Sequence, residues 1–329
     1  MKTRVAVLHG GRSGEHEVSI RSAQAVMAAL DPDRFEVVPI LIHKDGRWVP
    51  RPIVPQPGAN PGIDVVFPVL HGTFGEDGTV QGLLEMAALP YVGAGVFASA
   101  ASMDKEQFKR ICTALGLPVV EWVTLRRGGD DGALDASAAV ARFGFPLFVK
   151  PANLGSSVGI SKAHDEAELA VALAEAARYD SKIIVERAIV GPEIECAVLG
   201  NDQPQAATPC EIVPSREFYD YDDKYLLDAA RVELPARLAP ELIAEIRRLA
   251  VECYRAVDCS GMARVDFLVE RASGRVYINE INTIPGFTSI SMYPKMWAYE
   301  GLAFPRLLER LIELALERHA SRQALRYER

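Results

Sequence analysis

At 329 residues the chain is too long for one ordinary hydrophobic core, and domains of about 100–200 residues imply two or three units. With 49% apolar and 24% charged residues it has the balance of a soluble globular protein. A formal net charge of −8 argues against a nucleic-acid backbone as main partner, so an anionic ligand has to be held by local cations and not by a global field.

Cys112, Cys196, Cys210, Cys253 and Cys259 form no CxxC pair and no metal spacing, and the histidines are scattered. Odd in number and in a chain too large to need staples, the cysteines read as reduced, mostly buried thiols of a cytoplasmic protein. No signal peptide is expected, because residues 4–8 already look like a buried strand. The uncharged stretch 86–103 is too rich in Gly, Pro, Ser and Ala to span a membrane.

In chain order, a strand at 4–8, a turn through Gly10, Gly11 and Gly14, and a helix through Val18, Ala25, Val26 and Ala29 open the sequence. Strands at 37–42 and 64–70, a helix at 78–87 and a short strand at Tyr91 complete a βα pattern with a mainly parallel sheet. A break falls near 95–102, and Ser102 is the expected N-cap of a helix over 103–115. A smaller α+β unit follows: strands at 119–125, 146–150 and 182–186, helices from 137 and over 165–179, a Gly/Asp-rich loop at 128–132 and a Gly/Ser loop at 151–159. The last unit has strands at 193–199 and 211–213, a polar loop at 214–228 and a helix over 240–257. Strands at 262–269 and 275–281 then form a hairpin, and an amphipathic helix through Phe304, Leu307, Leu308, Leu311 and Ala315 ends the chain. The charged tail after His319 is expected to fray.

The hairpin is the sharpest chemical signal. Side chains two apart on a strand share a face, so Arg264 pairs with Asp266 and Glu280 with Asn282. Antiparallel pairing can join both sets into two carboxylates and an amide oxygen, a hard-oxygen site suited to Mg²⁺ carrying phosphates. Read alone, it could equally be an exposed face held by an ion pair. A second signal is the run Phe148-Val-Lys150-Pro-Ala-Asn-Leu-Gly-Ser-Ser-Val-Gly159, where a lysine ends an apolar strand before a Gly/Ser loop able to cradle phosphate. An ordinary strand end with a solvated loop is the plainer reading. It is not a Walker A loop, because no Gly-Lys pair occurs in the chain.

Gly155-Ser-Ser157-Val-Gly159 also fits the G-x-S-x-G nucleophile elbow of serine hydrolases. An elbow needs a strand directly before it and a helix directly after, and here the chain around it looks extended. His16-Glu17 lacks the second zinc-protease histidine, since position 20 is Ile20. Gly10, Gly11 and Gly14 do not spell a dinucleotide fingerprint; the turn either reverses the chain or presents Ser13, Glu15 and a helix N-terminus to a small charged substrate. The loop Glu217-Phe-Tyr-Asp-Tyr-Asp-Asp-Lys224-Tyr225 is long enough to be a lid, or else a mobile surface loop.

Together these segments resemble the ATP-grasp superfamily and, within it, the D-alanine–D-alanine ligase family. The motifs are His9-Gly-Gly-Arg-Ser-Gly-Glu15-His-Glu-Val-Ser-Ile, His71-Gly-Thr-Phe-Gly-Glu-Asp-Gly, Met103-Asp-Lys105, the Lys150 loop, the Tyr-Asp-Tyr lid, Arg264-Val-Asp266 and Asn279-Glu280-Ile-Asn282-Thr-Ile-Pro-Gly286-Phe-Thr. The resemblance implies an N-terminal Rossmann-like parallel sheet (1–101), a small central α+β domain (102–188) and a C-terminal domain with an antiparallel sheet (189–329) whose lid is 214–228, with ATP between the last two.

It also implies roles. Lys105 and Lys150 would contact the ATP phosphates, covered by Lys224 and the Ser156-Ser157 loop, with Asn279 beside them. Glu186 and the backbone at Ala188 and Ile189 would hold adenine, and Glu193 the ribose. Asp266, Glu280 and Asn282 would bind two Mg²⁺ ions, for which Mn²⁺ can substitute. Glu15 would take the amino group of the first D-alanine, in a hydrogen-bonded set with Ser156 and Tyr225, and His71 would line the same site. Arg264 and the backbone N–H of Gly286 would stabilise developing oxyanion charge, with Arg264 serving there and not as a structural ion pair. Ser291 and the backbone at Met292 would hold the second carboxylate. The implied reaction is ATP-driven formation of D-alanyl-D-alanine for peptidoglycan precursors, in a cytoplasmic homodimer without nucleic-acid or membrane partners. Tyr225 argues against a D-alanine–D-lactate ligase, because the ester-forming relatives lack this tyrosine.

Overall fold

The computed structural model describes residues 1–127, 134–155, 158–213, 231–288 and 290–326. Three sheets account for its strands. The first runs β3-β2-β1-β4, from β1 (Thr3–Gly10), β2 (Phe35–Ile42), β3 (Trp48–Val49) and β4 (Val65–Pro68). β1 pairs in parallel with β2 and β4, and only the short β3 runs antiparallel. Val5, Ala6, Val7 and Leu8 are fully buried on both faces, as a central parallel strand requires. Tyr91 adds an isolated parallel bridge to Val66, where a short strand was expected.

α1 (His16–Ala29) follows β1, α2 (Thr79–Met86) follows β4, and α3 (Val96–Met103) and α4 (Lys105–Ala114) come next. These last two correct the sequence reading. The stretch expected as a break is helical, and the chain kinks one residue pair later than Ser102. Asp104 is the N-cap of α4, its carboxylate accepting from Gln107 N at 3.1 Å, whereas the Ser102 side chain is buried. A run of alanines and serines without charge is as compatible with a short buried helix as with a linker, which is why pattern alone misplaced the boundary.

The second sheet runs β5-β8-β6-β7, all antiparallel, from β5 (Trp122–Arg126), β6 (Leu147–Pro151), β7 (Ser161–Ala163) and β8 (Lys182–Arg187). α5 (Ser137–Phe143) and α6 (Glu166–Ala176) belong to this unit, and Asp165 caps α6 by accepting from Glu168 N. Gly159 leads into a strand and not a helix, so the strand–turn–helix of a nucleophile elbow is absent here. The loop at 128–132 lies outside the described residues.

The third sheet is antiparallel, ordered β12-β11-β9-β13-β14 with β10 on β9, from β9 (Glu193–Gly200), β10 (Gln205–Ala206), β11 (Cys210–Val213), β12 (Arg231–Glu233), β13 (Gly261–Val269) and β14 (Val276–Asn282). α7 (Pro240–Ala256) packs on it, and α8 (Met292–Tyr299) and α9 (Phe304–Gln323) close the chain. One core joins the first and third sheets: Val5, Val7 and Phe67 pack with Met262, Phe287, Tyr293 and the buried face of α9. Phe287 stands edge-on to Phe67 at 5.8 Å, between the two sheets. Where fraying was expected after His319, α9 continues to Gln323, and 327–329 lie outside the described residues. Arg318 donates to Tyr91 O and Ser260 Oγ and stacks on the Tyr91 ring, and Arg322 pairs with Glu85. Those arginines find partners on the first unit, which a solvated charged tail would lack.

Among the described residues no helix is long and apolar enough to cross a membrane. All five cysteines are free and buried, as their spacing indicated.

Candidate active site

Two cavities lie between the sheets and share part of their lining. The first, of about 710 Å³, is lined by Glu15, His71, Glu76, Arg264, Asn282, Gly286, Ser291 and Met292. The second, of about 590 Å³, is lined by Lys150, Glu186, Ile189, Glu193, Asp266 and Asn279. Lys105, Glu195 and Glu280, with Leu154 and Gly155, line both. Residues from every part of the chain, 15 to 292 in number, therefore converge on one continuous cleft.

The hairpin register brings the expected hard-oxygen set together. Asp266 faces Glu280 and Arg264 faces Asn282 across β13 and β14. On its other side Asp266 faces Glu195 of β9, so three carboxylates stand in a row over three adjacent strands. Like charges directly opposite destabilise a sheet, so this row is built to face cations. The structure supplies two. Arg264 makes a two-pronged pair with Asp266, through Nε at 2.7 Å and Nη2 at 2.6 Å, and lies 3.3 Å from Glu195. Lys105 lies 3.6 Å from Glu280 and donates to Leu154 O at 2.5 Å. Asn282 Oδ1 accepts from Ile284 N at 3.0 Å, which fixes the amide's orientation.

Arg264 is thus in an ion pair, contrary to the either-or expected from sequence. Its fork to Asp266 engages two of the five N–H donors that a guanidinium carries, and the side chain also lines the first cavity. Burial works against its charge, but Asp266 and Glu195 outweigh that and raise its pKa well above the ordinary value. Among the described residues no three His, Cys, Asp or Glu side chains converge as a ready metal group. The oxygen set that fits a divalent cation is two carboxylates with an amide, leaving positions for a ligand's own oxygens.

A register shift between Asp266 and Phe267 leaves Asn279 as the extra residue of a bulge. The Asn279 amide accepts from Lys150 Nζ at 3.3 Å. Lys150 in turn lies 2.6 Å from Glu186, which Lys109 approaches from the opposite side at 2.9 Å. Burial alone would push the Glu186 carboxyl up, yet the two ammonium groups hold it below the usual carboxylate range. Ile189, Glu193 and Glu186 line the second cavity. Ala188 lines neither, and its N–H is donated to Pro146 O at 3.3 Å.

On the side of the first cavity, Ser13 links Glu15 to His71: its hydroxyl accepts from Glu15 N at 3.2 Å and donates to His71 O at 2.6 Å. His71 Nδ1 donates to Ile284 O at 3.1 Å, and Nε2 faces the Ser22 hydroxyl at 3.2 Å. Burial holds this imidazole's pKa below the ordinary value, in keeping with a neutral ring. Ser22 Oγ also accepts from Phe287 N at 3.4 Å, so α1, His71 and the 284–287 segment are tied at one point. Phe287 anchors that segment in the core and so fixes its neighbour Gly286 at the cavity wall. A Cβ on Gly286 would come within 2.7 Å of Ser291 Oγ and displace that hydroxyl. Ser291 is the N-cap of α8 with no side-chain cap bond and Met292 is its first residue, so a helix N-terminus that suits a carboxylate lies at the cavity wall.

Ser156, Ser157, Lys224 and Tyr225, with the 214–228 loop, lie outside the described residues. Three site residues had no assigned role in the sequence reading: Glu76, Glu195 and Lys109. Glu76 accepts from Gly72 N at 2.5 Å and sits with Glu15 beside Gly155. Burial, and next the Glu15 charge, push its pKa well above the usual range. It stood in plain view within the His71 motif. Lys109 follows Lys105 by one helical turn, a spacing that places both on one face.

The first parts of the chain match a family model described as the D-ala D-ala ligase N-terminus, over residues 4–59 and 54–94, and residues 111–313 match the D-ala D-ala ligase C-terminus. The D-alanine–D-alanine ligase of Solibacter usitatus (strain Ellin6076) is 64% identical over 329 residues and covers all of both chains. The solved D-alanine–D-alanine ligase of Coxiella burnetii is 41% identical with a TM-score of 0.86, covering 98% of this chain and 96% of that one. A D-Ala:D-Ser ligase of Enterococcus faecalis, VanG, has the same TM-score, 0.86, at 36% identity, over 96% of this chain and 100% of its own. With its fold, its cleft and matches over nearly its whole length in agreement, the chain belongs to the D-alanine–D-alanine ligase family.

Proposed function

We propose that the chain condenses two D-alanine molecules into D-alanyl-D-alanine, using ATP and releasing ADP and phosphate. The observation that carries this reading is the lining that the two cavities share at Lys105 and Glu280. One side offers an ammonium acceptor, Glu15, and carboxylate partners at Arg264 and the α8 N-terminus. The other offers lysines for phosphates beside a buried polar slot. Family membership implies ATP use, and the product suits peptidoglycan precursor synthesis.

A carboxylate is a poor electrophile, and phosphorylation by ATP turns it into an acyl phosphate with a good leaving group. Glu15 binds the first ammonium, and Lys105 and Lys150 draw the phosphates toward Glu280, with Ser156, Ser157 and Lys224 closing over them. Glu186 and Ile189 hold adenine and Glu193 the ribose, while Asn279 keeps Lys150 in line. Asp266, Glu280 and Asn282 would hold the Mg²⁺ ions (or Mn²⁺ in their place), which would neutralise charge on the phosphoryl group. The second amine then attacks, its carboxylate held by Ser291 and the Met292 backbone. Arg264 and Gly286 N–H receive the oxyanion, and losing one such donor typically costs about 3–4 kcal/mol. Tyr225 belongs with Glu15 and Ser156 in the hydrogen-bonded set that closes this side. His71 positions the wall through Ile284 and Ser22. The units 1–101, 102–188 and 189–329 act as two walls and a floor, in a cytoplasmic homodimer.

The likeness to a D-Ala:D-Ser ligase raises D-serine as an alternative second substrate. Product analysis from equimolar D-alanine, D-serine and D-lactate at neutral pH decides this. D-alanyl-D-alanine should dominate, and a predominance of D-alanyl-D-serine or of the D-lactate ester would contradict the reading.

A further inference from the structure

We infer that Lys109 is a positioning residue of the nucleotide cavity: by neutralising Glu186 from its buried side, it leaves the charge of Lys150 available to the phosphates. The inference rests on the nucleotide reading of that cavity.

Lys109 is 1% exposed and lines neither cavity, so it acts through another group. Its Nζ stands 2.9 Å from Glu186 Oε1 and donates to Val120 O at 3.2 Å, with the Trp122 ring centroid at 5.7 Å. Lys150 holds the other carboxylate oxygen, Oε2, at 2.6 Å and does line the cavity. The Glu186 carboxylate is therefore shared by two ammonium groups, while Glu280 and Glu193 act on Lys150 from the cavity side. With Lys109 present, less of the Glu186 charge falls on Lys150, the lysine that faces the ligand. Without Lys109, Glu186 would draw on Lys150 alone. Replacing a whole buried ion pair by apolar side chains is often neutral for stability, so a buried lysine pair is weak evidence of a stabilising role. The need for local cations in a chain of net charge −8 accounts for a lysine here.

The test compares binding of ATP with that of adenosine, at fixed Mg²⁺, to the full chain, to Lys109→Met and to the double variant Lys109→Met/Glu186→Gln. Lys109→Met keeps a neutral buried pair and is expected to fold. It should weaken ATP on the order of tenfold more than adenosine, as one unit charge acting through a protein-like dielectric predicts. Removing the carboxylate as well frees Lys150 again, so the ratio of ATP to adenosine affinity should return toward that of the parent chain. Equal weakening of both ligands by Lys109→Met, or a ratio that the second substitution does not restore, would overturn the inference while leaving the nucleotide reading intact. A parent chain that binds neither ligand would overturn both.

Discussion

Asp266 and Glu280 face each other directly across the β13–β14 ladder, with Arg264 and Asn282 as the next pair on the same face. Two like charges so placed repel, and in the structure Arg264 and Lys105 offset them. The proposal that this pair receives the cation accompanying the phosphates predicts that Glu280→Gln lowers turnover at least about a hundredfold at low Mg²⁺. Phosphate release titrated with Mg²⁺ checks it, and a near-normal rate at low Mg²⁺ would remove the metal role.

Gly72 adopts φ +73, and a Cβ there would stand 2.5 Å from Glu15 Oε2. Gly72→Ala should therefore cost about 1 kcal/mol of stability from the backbone alone and displace the Glu15 carboxylate. The expected kinetic signature is a KM for D-alanine raised about tenfold, with the KM for ATP little changed. An unchanged KM for D-alanine would show that Glu15 does not hold the substrate's ammonium.

Arg264→Lys keeps a charge but loses the planar fork to Asp266. A drop of about a hundredfold in kcat is expected if the guanidinium also serves the oxyanion, at the scale known for one lost donor. Steady-state kinetics together with a thermal melt separate the readings, because a purely structural pair would lower the melting temperature and leave kcat of the folded enzyme unchanged.

Glu76 is an acid whose pKa rises on folding, through burial first and the Glu15 charge second. The folded chain then keeps a proton that the unfolded chain gives up near the ordinary carboxylate value of about 4.3. The stability contribution is present below that value and is lost as pH rises through the folded pKa. Glu76→Gln, which stays neutral, should have little effect on denaturation midpoints near pH 4 and should stabilise the chain at neutral pH and above. Parallel pH profiles for the two proteins would contradict this.

Much of the site was legible because its chemistry is local in sequence. The hairpin alternation placed Arg264 with Asp266 and Glu280 with Asn282, and the register bears both out. The strand that carries Lys150 is present as well, running on to Pro151. What sequence could not show is what depends on pairing at a distance. Glu195 joins the carboxylate row only because β9 lies next to β13. The bulge at Asp266/Phe267 that makes Asn279 the extra residue has no signature in a two-residue alternation. Helix limits failed where composition was bland: uncharged alanines and serines hid α3, and the cap moved from Ser102 to Asp104. The end of α9 was misjudged because its arginines find partners more than two hundred residues away.

The most direct test of the whole account is release of inorganic phosphate from ATP by the purified chain, measured with D-alanine, with L-alanine and with D-lactate, each with and without Mg²⁺. The account predicts release that requires both D-alanine and Mg²⁺ and is far slower with the other two compounds. Phosphate release indifferent to D-alanine, or none under any of these mixtures while ATP is bound, would contradict it.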